Sequence, residues 1–394
     1  VNVDLDLDVI LQLTHKYPFV GELAIHCEHH HKEKDLTKSV ERCFAVFPNM
    51  TGLAVLNSEV SLSTMQCLTN APMHIQLSDF AIYRLSKPAY ADKVLLAFLQ
   101  RHQHSLQSFS VDMQPYSRAV FDFLCQHCVK MQELELANEN LADNIRREHF
   151  AAALLRCRHL RSLDVQGVDM QLTAQEVVQL AANNPGLQAL KLSESIQGAS
   201  AIAILHHCPG IEQIMSANLC YSAQEDAVDI DDLDDSDDRA IMRFHSIPQR
   251  SALAHGSFAA LLLDIGALAA SFSSQAQLRE FLEAVPVVHS LALVCDDQHL
   301  SSSPAHAWLP AALQGGKHAG SLETICLLGC AARFAAALLP LLRACPAITH
   351  LVVDYSSDAL WASAQLDKGF VEPLCAYGGG IERCHLCYLP ALTG

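Results

Sequence analysis

Charge is scarce in this chain, and positive charge scarcest. Only 18% of its 394 residues are Asp, Glu, Lys or Arg, and 26 Lys and Arg stand against 43 Asp and Glu, a formal net charge of −17. A nucleic-acid backbone and an anionic membrane surface both select a surplus of basic side chains. Neither is expected as a partner, and the balance leans toward basic ones. There is no signal peptide pattern and no apolar run long enough to span a bilayer. The nearest, AARFAAALLPLLRAC (331–345), is short and is broken by Arg333 and Pro340. Catalytic signatures are missing as well. There is no G-x-S-x-G, no phosphate-cradling Gly-rich loop ahead of a helix, and no H-E-x-x-H. YGGGI (377–381) reads as a turn before a strand. The chain is therefore read as a non-enzyme with no cofactor. It is not short of core, however: 51% of its residues are hydrophobic, which marks a folded protein.

An even set of cysteines at loop positions, the mark of an extracellular disulfide framework, is also missing. The 15 cysteines are scattered, mostly inside hydrophobic segments such as CLLGC (326–330). Buried free thiols in a reducing compartment are expected, which places the protein in the cytoplasm or nucleus.

What is present is a repeat. CRHLRSLDVQGVDM (157–170) sets apolar residues at Leu160, Leu163, Val165, Val168 and Met170, offsets 0, 3, 5, 8 and 10, the spacing of a leucine-rich repeat. HFAAALLRC, just upstream, carries apolar residues at helical spacing. One unit is thus helix, turn, strand. The 0, 3, 5 frame returns at Val20, Met50, Leu106, Met131, Leu187, Val288, Leu322, Ile348 and Ile381. It returns more weakly at Ile75 and Leu77, and at Ile211, where Ser216 departs from it. FAALLL (258–263) supplies a hidden unit in the long gap before Val288. Helical patterns fill the intervals, among them KSVERCFAVF, ADKVLLAFLQRH, AVFDFLCQHC, AQEVVQLAANN, AIAILHHC, QLREFLEAV and FAAALLPLLRAC. Strands separated by helical crossovers must run parallel. The expected fold is an α/β leucine-rich-repeat solenoid over residues 1–394, about twelve or thirteen units long, a horseshoe with a curved parallel sheet inside and helices outside.

The helix often ends in Cys or Cys-Pro just before the strand: CVKM (128–131), CRHL (157–160), CPGI (208–211) and CPAI (345–348). FPNM, NPGL and VPVV fill the same slot without cysteine. Helix-Cys-Pro-x-Leu-x-x-Leu-x-Leu resembles the cysteine-containing leucine-rich repeats of F-box/LRR proteins, across nearly the whole chain. VNVDLDLDV (1–9) resembles the strand that follows the F-box in that family, and a cut just downstream of an F-box would begin a chain here. The resemblance implies the substrate-binding LRR domain of an SCF-type E3 ubiquitin ligase. It would hold a protein substrate on the concave face, and a Skp1-type adaptor would bind through an F-box absent from this chain. The alternative is a stand-alone LRR scaffold or inhibitor.

Residues between the Leu-x-Leu core positions point away from the core. In the first half they are polar: Glu22, His26, His74, Gln76, Ser108, Ser110, Asp112, Glu133, Glu135, Ser162, Asp164 and Gln166. In the second half they turn apolar: Ala292, Val294, Thr324, Cys326, Leu328 and Val352. With strands about 4.8 Å apart these would form one patch, the expected partner-binding surface. The insertion at 222–250 carries EDAVDIDDLDDSDDR (225–239), whose carboxylates repel one another and read as a solvated loop. Ser236, followed by two Asp, is a candidate phosphosite. The loop lacks the Gly and Glu of an EF-hand. Two Cys-x-x-Cys pairs, CQHC (125–128) and CHLC (384–387), would make a zinc site only if close together, and about eight strand spacings separate them by roughly 40 Å. HCEHHH (26–31) reads as a strand-end loop, and the Asn49 sequon as unused. No metal is expected.

Overall fold

The computed structural model describes residues 21–26, 33–34, 37–85, 88–112, 117–137, 146–166, 168, 172–193, 195–216, 219–222, 260–264, 271–294, 305–328, 331–354, 381 and 383–387. The chain forms two compact units, Val1–Ser193 and Glu194–Gly394. The acidic stretch 225–239 with Ser236, the opening strand pattern 1–9, and residues 27–31 of the histidine cluster lie outside the described residues.

The first unit alternates strand and helix. Its strands are β1 (Glu22–His26), β2 (Glu33–Lys34), β3 (Gly52–Val60), β4 (Asp79–Leu85), β5 (Ser108–Asp112), β6 (Glu133–Ala137), β7 (Ser162–Val165) and β8 (Ala189–Leu192). Its helices are α1 (Thr37–Val46), α2 (Leu62–Thr69), α3 (Pro88–His102), α4 (Arg118–His127), α5 (Arg147–Leu154) and α6 (Ala174–Asn183). The strands pair in parallel in the order β1-β3-β4-β5-β6-β7-β8, with β2 also on β3. The repeat frame is the core. Leu160, Leu163, Val165 and Val168 are all buried, as are Met131, Leu134 and Leu136, and Leu187, Leu190 and Leu192. Each such side chain contributes about 1.5–3 kcal/mol by leaving water.

Register is set at the strand entrances. One backbone carbonyl per repeat accepts two N–H groups of the next. Gln107 C=O takes Gln132 and Glu133, Gln132 C=O takes Arg161 and Ser162, and Arg161 C=O takes Gln188 and Ala189, at 2.6–2.9 Å. The helices start where a hydroxyl can cap them. Ser61 Oγ accepts the Thr64 N–H and Ser117 Oγ the Val120 N–H. Thr173 and Glu176 form a reciprocal capping box at α6.

The second unit holds β9 (Gln213–Met215), β10 (Leu219–Ser222), β11 (Ala260–Asp264), β12 (Ser290–Val294), β13 (Thr324–Leu328), β14 (His350–Asp354) and β15 (Arg383–Cys387), with α7 (Gly198–His207), α8 (Gln275–Ala284), α9 (Ala305–Leu313) and α10 (Ala331–Ala344). Strands β11 to β15 pair in parallel, in order. Each unit is a stack of leucine-rich repeats, α/β in class, with the frame residues buried between strand and helix.

Three features differ from the sequence reading. The weak repeat at Ile75 and Leu77 is displaced: its strand is β4, and the frame is Leu77, Phe80, Ile82, all buried. Phe80 sits 4.2 Å from the Phe98 ring and 6.1 Å from Phe109, centroid to centroid, and this aromatic packing decides the register. His74 and Gln76 therefore precede the strand, and His74 is an exposed turn residue. Second, not every strand is parallel. β10 runs antiparallel to both β9 and β11, inserted where Ser216 breaks the frame. The Ser216 N–H and Oγ both donate to the Leu219 carbonyl, at 2.8 and 3.2 Å, which turns the chain back on itself. Third, α2 and α9 form where no helical stripe stands out; α9 even contains Pro310. The hidden repeat at FAALLL is present as β11.

Candidate functional site

Parallel in-register pairing lines up the residues between frame positions into columns across each sheet. In the second unit Ser290, Thr324 and His350 share one row, Ala292, Cys326 and Val352 the next, and Val294, Leu328 and Asp354 the third. The six residues predicted to form an apolar patch thus lie on three consecutive strands, β12 to β14. Their exposure is uneven. Ala292 is half-buried, while Thr324 (8% exposed) and Cys326 (7%) are buried where alternation predicts outward positions. Short side chains flanked on both sides by neighbouring strands lose most of their surface. The side chains of Val294, Leu328 and Val352 lie outside the described residues.

In the first unit the same columns carry charge. One runs Asp79, Ser108, Glu133, Ser162, Ala189; the next runs Ala81, Ser110, Glu135, Asp164, Lys191. Lys191 Nζ meets Asp164 Oδ2 at 3.1 Å. Glu133 and Glu135 are both exposed on one strand. Gly52 belongs to this face too: a Cβ there would stand 2.8 Å from Glu22 Cγ, so the small residue lets the neighbouring acidic side chains close over it.

No family model matches the chain, and no curated protein matches it. Among solved structures it is similar to one described as a crystal structure of a TLR13–ssRNA13 complex, with 10% sequence identity over 85% of this chain, and a TM-score of 0.31. The chain spans 38% of that one's length.

The cysteines of the repeat slot are structural in their surroundings. Cys128, Cys157, Cys208 and Cys345 are buried and carry free thiols. Their N–H groups close the last helical turn, and the Cys128, Cys208 and Cys345 carbonyls accept the N–H of the next frame residue, at 3.0–3.3 Å. Burial pushes the Cys128 and Cys345 thiols up to about 12. Cys125 is also held well above the ordinary thiol range, first by its hydrogen bond with Cys157 and then by burial. Cys157, the other partner of that hydrogen bond, is held below the ordinary thiol range by it; the protonated, enclosed thiols of Cys125, Cys128 and Cys345 are poor ligands and poor nucleophiles. Among the described residues no group of three or more His, Cys, Asp or Glu side chains could hold a metal ion.

The sequence reading missed one set of polar residues. His102 and His318 are fully buried, each in the motif H-x-x-S-L. His102 Nδ1 accepts the Leu77 N–H at 3.2 Å, and His318 Nδ1 accepts the Val288 N–H at 3.3 Å. Ser105 Oγ donates to Leu77 C=O and Ser321 Oγ to Val288 C=O. Asn184 does the same work in a cysteine slot: Oδ1 accepts Leu160 N–H at 2.9 Å, and Nδ2 donates to the Cys157 and Leu180 carbonyls. These side chains tie one repeat's first frame residue to the next repeat's helix end. The twice-used H-x-x-S-L spacing (102–106 and 318–322) was the available signal. No described helix is long and apolar enough to cross a membrane.

Proposed function

We propose that this chain is a protein-recognition module, the substrate-binding part of an SCF-type ubiquitin-ligase receptor, acting by binding rather than catalysis in the cytoplasm or nucleus. The observation that carries the reading is the sheet face away from the helices. Its columns of side chains are left over from the core and line up in register over many strands, the arrangement that lets repeat proteins present a long recognition surface. On β12 to β14 the proposed partner-binding residues are Ala292, Val294, Thr324, Cys326, Leu328 and Val352. The helix-end cysteine slot supports the ligase assignment, and the buried thiols support a reducing compartment.

Two measurements test this. Val294→Asp with Leu328→Asp puts two carboxylates in one row of the face. Quantitative affinity purification from cells is expected to lose the protein partners held by the wild type, while the melting curve stays two-state. An unchanged partner set removes this face from the reading. The ligase role is checked separately, by whether the natural full-length protein co-purifies a Skp1-type adaptor. If partners bind the face and no adaptor is recovered, the protein is a stand-alone scaffold.

A further inference from the structure

We infer that the turns leading into β6, β7 and β8 form a second docking site, on the edge of the repeats, for an acidic peptide segment of a partner protein. The three helix-to-strand turns enclose an open groove of about 470 Å³. Its lining includes Lys130, Arg158, His159 and Arg161, and no Asp or Glu. In a chain of net charge −17 this is a local reversal of sign. All four of these side chains are exposed.

The sequence of the turns singles out the same place. The pair of residues after the helix-end slot is Pro48-Asn49, Pro185-Gly186, Pro209-Gly210, Pro286-Val287 or Pro346-Ala347 in five repeats, and Ile75-Gln76, His104-Ser105 or Gly320-Ser321 in three more. Only Val129-Lys130 and Arg158-His159, in adjacent repeats, put a Lys or Arg in that pair. Helix C-termini attract cations through their dipoles, and Arg158 answers to that account: its Nη1 donates to the Leu155 carbonyl at 2.7 Å. The dipole does not explain the rest. Pro185-Gly186 and Pro209-Gly210 follow their helices with no Lys or Arg in the turn, and Arg161 sits past the turn at the strand entrance. Four other basic residues of the unit have acidic partners: Arg118 and Arg156 meet Asp122, Arg147 meets Glu176, and Lys191 meets Asp164. Lys130 and Arg161 have no side-chain hydrogen bond or ion pair among the described residues. The position of Arg161 is held by the backbone ladder, since the Gln132 carbonyl receives its N–H at 2.6 Å.

The groove is not purely ionic. Val129 is 60% exposed, one of the few large apolar side chains so placed among the described residues, and Pro185 and Gly186 line the groove beside it. Cations beside apolar surface match a peptide that alternates carboxylate and aliphatic side chains, bound by charge-assisted hydrogen bonds. A nucleic acid would need a longer basic track and bases to stack on aromatic rings, and no Phe, Tyr or Trp lines the groove.

The test is fluorescence anisotropy on the whole protein with a fluorescein-labelled peptide of alternating glutamate and leucine. Binding is expected, with none to the matching glutamine–leucine peptide. Lys130→Glu with Arg161→Glu is expected to weaken binding by about tenfold or more. Lys38→Glu, an exposed site on α1, serves as a charge control and leaves it unchanged. Circular dichroism confirms that both variants are folded. Equal binding by the double variant and the wild type overturns the proposal, as does equal binding of the glutamine peptide. Displacement of the peptide by millimolar inorganic phosphate, or tighter binding of single-stranded DNA, also overturns it, by assigning the groove to a free anion or to nucleic acid.

Discussion

A buried polar side chain costs stability unless it is paired, so His102 has to be accounted for by what it holds. It is 0% exposed, accepts the Leu77 N–H through Nδ1, and leaves Nε2 without a hydrogen bond among the described residues. Burial, with Arg101 nearby, lowers its pKa to about 4, against the pull of the Leu68 carbonyl. The folded state therefore holds a neutral ring, while the unfolded chain protonates near 6.5. Stability from this group is complete above that pH and is lost as pH falls toward about 4. Between pH 7.5 and 5 the loss is about 2 kcal/mol. His102→Asn keeps an acceptor, as Asn184 does in its own slot, and does not titrate. Urea melts should show the variant's stability falling less than the wild type's over that range. His102→Ala removes the acceptor, strands the Leu77 N–H and opens a cavity. It should cost about 2–4 kcal/mol at pH 7.5, more than the asparagine change. If both variants melt alike at pH 7.5, the Leu77 bond contributes nothing.

At the scale of elements, α7 and the segment before α8 are fitted through one missing side chain. A Cβ on Gly198, at the start of α7, would run into the Phe272 ring and stand 3.0 Å from the Ser271 carbonyl. Phe272 is itself buried and rests 5.3 Å from the Phe281 ring of α8. Gly198→Ala should destabilise the protein by about 1–3 kcal/mol despite alanine's better helix propensity. Adding Phe272→Leu should recover part of that loss, a coupling that thermal melts of both single variants and the double variant would read. Additive effects would mean that the ring and the helix start do not meet. Such contacts are invisible to periodicity, which explains what could be read from the chain alone. The frame at Leu160, Leu163 and Val165 was legible because burial on two strand positions in three forces a fixed spacing. β4 was misplaced because PMHIQL contains the right residue types, and only the ring packing of Phe80, Phe98 and Phe109 chooses between two neighbouring frames. The reversal at β10 depends on a Ser216 that pattern alone marks only as an error. On the outward face, register was legible but exposure was not. Thr324 and Cys326 are small enough to be buried by their neighbours. The groove residues went unnoticed because Lys130 and Arg161 belong to different repeats and converge only when the turns stack.

For the whole molecule, long-range and short-range electrostatics oppose each other at the groove. A net charge of −17 repels an acidic peptide at a distance, while Lys130, Arg158 and Arg161 attract it on contact. Salt separates the two because screening depends on range. The Debye length is about 30 Å at 0.01 M and about 10 Å at 0.1 M. In dilute buffer the repulsion from the entire surface reaches the approaching peptide. Near 0.1 M it is largely screened, but ion contacts within hydrogen-bond distance survive. At 1 M, with a Debye length of about 3 Å, those contacts weaken too. Affinity for the glutamate–leucine peptide should therefore pass through a maximum between 0.01 and 1 M salt. The anisotropy titration repeated across that range reads it directly. In the Lys130→Glu, Arg161→Glu variant the attractive part is gone, and whatever binding remains should only strengthen with added salt. A steady fall in wild-type affinity from the lowest salt upward would mean that the field at the groove is positive at every distance. The surrounding acidic surface would then play no part in choosing what docks there.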